Sequence, residues 1–170
     1  KRSWDGADYF TGQIHELRVW TRAISYTNMV SRMSIDLSGY ENGLTAYWPM
    51  DEANGNMAFD QANSHNLELS GEWKVTPGSS SYAFNGADQA LAMKAGKFPM
   101  TSEMDFTVEF WFKAPSAAAG SYLFSNGNVS SDLYDAAKTW SIKLDAEGYL
   151  QVENNEQVLA SNGSYTDDNW

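Results

Sequence analysis

Residues 9–20 read YFTGQIHELRVW and residues 43–52 read GLTAYWPMDE, and these two stretches decide the fold. Along an extended chain, successive side chains point to opposite faces. In the first stretch that places Leu17 and Val19 on one side and Glu16, Arg18 and Trp20 on the other. Gly12 allows a tight turn into the strand. The charges of Glu16 and Arg18 can pair with each other or across strands. The second stretch is a short aromatic-rich run from Leu44 to Met50, opened by Gly43 and closed by Asp51 and Glu52. The first reads as the closing strand of one β-domain and the second as the opening strand of another. The chain therefore reads as a window from a longer array, with Trp170 standing where a further strand is expected.

Working outward, strand signals dominate. Short alternating or aromatic-rich runs are separated by Gly, Asn, Asp and Ser clusters. Strands are expected near residues 13–20, 44–50, 66–70, 81–84, 90–93, 106–113, 121–125, 139–144 and 149–153. This spacing argues for an all-β antiparallel sandwich or jelly roll rather than βαβ units. The alternation is cleanest in residues 106–113, where Phe106, Val108, Phe110 and Phe112 share one face, expected to be buried. Thr107, Glu109, Trp111 and Lys113 share the other, which could line an open surface. One short helix is expected near residues 25–34, with Ser25 as N-cap and Met29, Val30 and Met33 at helical spacing. Its apolar face should close over a sheet edge or sandwich end. Residues 36–43 (DLSGYENG) lack periodicity and read as the joint between domains. The expected division is 1–38 as the end of one module, 39–42 as linker and 43–170 as the first part of a second module. Contacts across the joint should then be few. The rival is a permuted single domain, in which the strand at residues 13–20 pairs directly with that at 44–50.

Composition bounds the function. The 170 residues carry a net charge of −11, with 42% hydrophobic and 14% aromatic residues. Ample core material is present, but no basic patch suited to nucleic acid phosphates or anionic lipid is visible. The chain has no cysteine, which excludes disulfides, zinc–thiolate sites and a cysteine nucleophile. No apolar run approaches the ~20 residues that span a bilayer, so membrane insertion is not expected.

Several motifs carry a family likeness. Phe10, Gly12, Ile14, Glu16, Leu17, Arg18, Val19 and Trp20, followed by Ala23-Ile24-Ser25, resemble the C-terminal signature of bacterial laminin-G-like (concanavalin A-like) jelly-roll modules. Gly43, Leu44, Ala46, Tyr47, Trp48, Asp51, Glu52, Gly55 and Asp60 resemble the N-terminal signature of the same family. Phe84-Asn85-Gly86 with Asp88, Phe106 to Trp111, and Asp168-Asn169-Trp170 look like its later strands. His15 departs from the pattern, which usually has Asp there. The resemblance covers most of the chain in two out-of-phase pieces. It implies a two-sheet antiparallel jelly-roll sandwich of the concanavalin A-like kind. It also implies a non-catalytic glycan- or protein-binding adhesion module in a large secreted or cell-surface bacterial protein. Its partners would be a glycan or an extracellular protein, together with neighbouring modules of the same chain. An accessory carbohydrate-binding domain of a surface glycoside hydrolase and a structural stalk module are the alternatives. Some modules of the family hold calcium near a rim, which points here to Asp51, Asp60 and Asp88 as metal ligands, with Glu52 beside them.

Catalytic signals are poor, and the chain reads as non-enzymatic. Paired carboxylates of a glycosidase stand ~5 Å or ~6.5–9.5 Å apart. The nearest candidates are Asp105 and Glu109, with Glu103 in the preceding turn; the favoured reading is a turn Asp and a strand Glu paired with Lys or Arg. His15 and His65 have no partner at metal-like spacing and read as surface or strand-edge residues. Aromatic side chains can stack on sugars or anchor interfaces. Trp111, sharing a face with Glu109, and Tyr134, in the long loop at residues 127–138, are the candidate ligand-binding residues together with Glu109. Core packing is the favoured reading for Trp20, Trp48 and Trp111 all the same.

Overall fold

The computed structural model describes residues 9–52, 55–70, 81–93, 105–125, 140–154 and 157–170. The protein is all-β, built of antiparallel sheets with a single short α-helix among the described residues. The strands are β1 (Thr11–Trp20), β2 (Leu44–Trp48), β3 (Met57–Ala58), β4 (Leu67–Ser70), β5 (Tyr82–Asn85) and β6 (Ala90–Met93). They continue with β7 (Thr107–Lys113), β8 (Tyr122–Ser125), β9 (Trp140–Leu144), β10 (Tyr149–Asn154) and β11 (Val158–Ser164). Three sheets result. One runs β2-β1-β5, with β7 also on β1; one is the meander β11-β10-β9-β8; the third is β3-β4-β6. The strands expected from alternation are present, and β3 and β11 are additional.

The described chain divides into two compact units, Ile14–Tyr82 with Leu91–Trp111, and Lys1–Gln13 with Ala83–Ala90 and Phe112–Trp170. In the first unit β1 and β2 pair antiparallel, with Leu17 opposite Trp48, Arg18 opposite Tyr47 and Val19 opposite Ala46. This is the pairing that the permuted arrangement requires. Leu17, Val19, Ala46 and Trp48 thus share one buried face. Trp20, Leu37, Leu44 and Tyr47 form a core cluster, with Ile24 and Ala62 packed against it. Residues 36–43 lie inside this unit, with Leu37 and Gly39 buried and Asp36, Ser38, Tyr40 and Asn42 exposed. Glu41 accepts from the Ser38 and Gly39 N–H groups, and the Thr21 N–H donates to the Gly43 carbonyl at 2.9 Å. Leu37 explains the difference from a sparse joint: it supplies an apolar anchor between polar neighbours, so the segment folds onto the cluster instead of bridging free space.

Helix α1 (Tyr26–Arg32) begins where expected, with the Ser25 side chain accepting from the Asn28 N–H. Its packing differs from expectation. No helix residue is buried, and Val30 and Met33 are exposed. A seven-residue helix has too few turns to present a broad apolar stripe, and α1 is held at its ends through backbone groups. Likewise no residue of β7 is fully buried, and Phe106 lies exposed just before the strand.

In the second unit, Phe10 packs on Phe84 with ring centroids 5.8 Å apart, and Phe124 stacks on Trp140 at 5.2 Å. Ile142 and Leu144 are buried in the middle of the meander. Gly12 is required by close approach as well as by its φ of 143°: a Cβ there would collide with the Lys113 carbonyl. No helix among the described residues is long and apolar enough to cross a membrane.

Candidate functional site

Two polar centres are built into the unit containing β2 and β4. The first is Asp60, in the turn after β3, whose side chain is fully buried. Its Oδ1 accepts from the Tyr47 N–H at 2.9 Å and the Ala62 N–H at 2.9 Å. Its Oδ2 accepts from the His65 N–H and lies 3.1 Å from His65 Nδ1. A carboxylate offers about four lone-pair positions, and here all four are engaged. Asp60 therefore ties β2 to the turn at residues 60–65, and a cation there would have to displace N–H donors. His65, expected at a surface or strand edge, is a partner in this hub.

The second centre lies along β1. Arg18 and Glu16 form a buried ion pair through Arg18 Nε and Nη2 to one carboxylate oxygen. The other Glu16 oxygen accepts from the Tyr47 hydroxyl at 2.7 Å. Burial, then the bond to Glu16, holds the Tyr47 phenol well above its ordinary range. Arg18 also donates to the Arg32 carbonyl at 2.9 Å and the Ile35 carbonyl at 2.8 Å. Free carbonyls at the end of a helix need such donors. Glu16 and Arg18 share a face as alternation predicts, although Glu16 has φ 57°, a conformation uncommon for a non-glycine residue.

The outward face of β7 adjoins this centre. Thr107 Oγ1 accepts from the Ile24 N–H and donates to the Arg22 carbonyl, both at 3.0 Å. The Trp111 indole donates to the Met33 carbonyl at 3.1 Å. Between them Glu109 interacts with the Trp20 indole N–H, Arg18 and Arg32. Burial raises the Glu109 pKa, and those three opposing influences do not cancel it. The face expected to line an open surface is thus covered by residues 22–35. Glu109 and Trp111 are brought to one site, with the helix segment over both.

Around Trp20 the hydrogen-bond accounting is incomplete. Arg22 Nε and Arg32 Nη1 are buried donors that close no hydrogen bond. The Arg22 and Arg32 guanidiniums lie 5.8 and 5.6 Å from the Trp20 ring centroid, a cation–π arrangement. The sequence reading identified Glu109 but not Trp20, Arg22 or Arg32 as its neighbours. The one available signal was that three of the chain's four arginines, Arg18, Arg22 and Arg32, fall within residues 18–32.

The remaining candidates stand apart. Asp51 is exposed. Glu52 accepts from the Phe59 N–H at 2.6 Å and the Tyr82 hydroxyl at 2.7 Å. Asp88 is exposed, accepts from the Asn85 side chain at 2.7 Å, and belongs to the other unit. No group of three His, Cys, Asp or Glu residues able to hold a metal exists among the described residues. Asp105 is exposed ahead of β7. His15 Nδ1 lies 3.2 Å from the Pro49 carbonyl. Tyr134 and Glu103 lie outside the described residues. No protein-family model matches the chain, and no curated protein or solved structure matches it either.

Proposed function

We propose that this chain is a non-catalytic binding module of the laminin-G-like, concanavalin A-like jelly-roll kind, serving adhesion on a secreted or cell-surface protein. Its ligand is a glycan or an extracellular protein. The observation that carries the reading is how four of the described carboxylates in structured positions are used. Glu16 is held by Arg18 and Tyr47, Glu52 by Phe59 and Tyr82, and Asp60 by four donors. Asp145 is held by Gln151 and by the N–H groups of its own turn. Hydrolysis of a glycoside needs two carboxylates free to handle protons and the anomeric centre; these four are committed to structure, and Glu109 faces Trp20, Arg18 and Arg32.

Binding is tested by presenting the full chain to an array of glycans and matrix proteins, with and without calcium, alongside an assay for glycan hydrolysis. Saturable binding without hydrolysis is the expected result. Hydrolysis of any arrayed glycan would contradict the reading, as would the absence of binding to every glycan and protein presented.

A further inference from the structure

The arginines beside Trp20 have more donor capacity than the protein uses. Arg18 makes four bonds, two to Glu16 and one each to the carbonyls of Arg32 and Ile35, and has no buried donor left over of the kind that Arg22 and Arg32 keep. Arg22 and Arg32 each keep a buried N–H without an acceptor, whereas the Trp20 indole N–H beside them faces the Glu109 carboxylate. Folded proteins leave few buried donors unmade, and two guanidinium donors over one aromatic ring call for an explanation. Charge gives the direction. In a chain of net charge −11, this centre gathers three cations, Arg18, Arg22 and Arg32, against two carboxylates, Glu16 and Glu109.

Geometry makes the centre a preorganised one. Both guanidiniums rest against the Trp20 ring, and the Arg22 stem lies over Gly43, where an added Cβ would meet Arg22 Cδ at 2.8 Å. Thr107 holds the backbone on either side of Ala23, and Arg18 and Trp111 hold the carbonyls where α1 ends. The donors are therefore fixed before any ligand arrives, which lowers the cost of binding. Arg22 and Arg32 are only partly buried, so solvent reaches the rim of the site. Guanidinium forks match carboxylate, sulfate and phosphate oxygens alike.

We propose that Arg22 and Arg32, resting against the Trp20 ring, form a binding site for one oxyanion group, a carboxylate, sulfate or phosphate borne by a ligand, with Glu109 as its built-in electrostatic competitor. The site rests on the binding-module reading only for which ligand carries the group.

The test is a titration of the full chain with sodium sulfate, phosphate and glucuronate against chloride at equal ionic strength. It is followed through the NMR signals of the Trp20 indole N–H and the Arg22 Nε–H. Saturable shifts of both signals are expected with at least one of the three anions. Binding should weaken about tenfold in R22Q and in R32Q and tighten severalfold in E109Q, a gain that a merely structural Glu109 would not give. Which anion binds most tightly separates sulfated or phosphorylated ligands from uronic acids. The proposal is overturned if neither signal shifts beyond the chloride control, the donors then being satisfied by water. It is equally overturned if R22Q binds as the parent does, an outcome that remains decisive should R32Q unfold with its helix. Because the probes are simple ions, a negative glycan and protein array leaves this site standing, and a negative titration leaves the array result standing.

Discussion

Asp60 and Glu109 are two acidic side chains of the same folding unit, and they are handled in opposite ways. Asp60 is fully buried with every acceptor position engaged by Tyr47, Ala62 and His65. Glu109 is partly buried among Trp20, Arg18 and Arg32, next to donors that close no bond. A satisfied polar hub specifies structure, because any rearrangement leaves several buried groups unpaired. An unsatisfied one holds its groups in place at a cost and leaves them available. The difference separates acidic residues that shape the fold from those standing where something can bind.

The comparison breaks most visibly at Asp60. D60A should cost ~3–5 kcal/mol of stability, the scale for removing one partner of a buried charged cluster, read by urea unfolding. A loss under about 1 kcal/mol would mean that the four donors find other acceptors. R18M should come next. It leaves Glu16 buried without its cation and strips the Arg32 and Ile35 carbonyls of their donor. A cost of ~3 kcal/mol or more is expected, with faster hydrogen exchange at residues 32–35 as the local signature.

Glu109 sharpens the other side. Its folded pKa is raised above the ordinary 4.5, so the folded chain holds that proton more tightly than the unfolded one. Its contribution to stability is complete below the ordinary value and declines as pH rises through the raised one. E109Q should remove this decline, raising the melting temperature at neutral pH while changing it little at pH values below 4.5. A lower melting temperature for E109Q at neutral pH would show that the arginines stabilise the charged form after all. The smallest effects belong to the exposed carboxylates. D51N and D88N should each stay within about 0.5 kcal/mol of the parent. With Asp60 occupied by N–H groups, added calcium should leave the parent's melting unchanged; a calcium-dependent rise lost in D60N would reverse the assignment of Asp60 to structure.

Much of the fold was legible in the sequence because β1 and β7 alternate, because β2 is a short aromatic-rich run bounded by Gly43 and Asp51, and because Ser25 is a capping residue ahead of a short periodic run. Strand β11 was not. Its sequence VLASNGS has the composition of a loop and is exposed along most of its length. It is a strand because β10 pairs with it, Val152 facing Leu159. The helix was placed correctly and its packing was not, since spacing reveals which residues share a face but not whether anything covers them. The Asp60 hub left a faint local trace: an aspartate followed two residues later by a backbone donor is an Asx-turn pattern. The Trp20 centre left almost none. Its anchoring bond from Ile24 to Thr107 spans 83 positions, a closeness that only the sheet creates.

The most direct test of this contrast is a thermal-melting comparison of the parent, R22Q and D88N in sulfate and in chloride at equal ionic strength. Sulfate should raise the melting temperature of the parent and of D88N above its value in chloride, and that increment should vanish in R22Q. An equal increment in all three proteins would reduce the effect to general salt stabilisation and contradict an available donor site at Trp20.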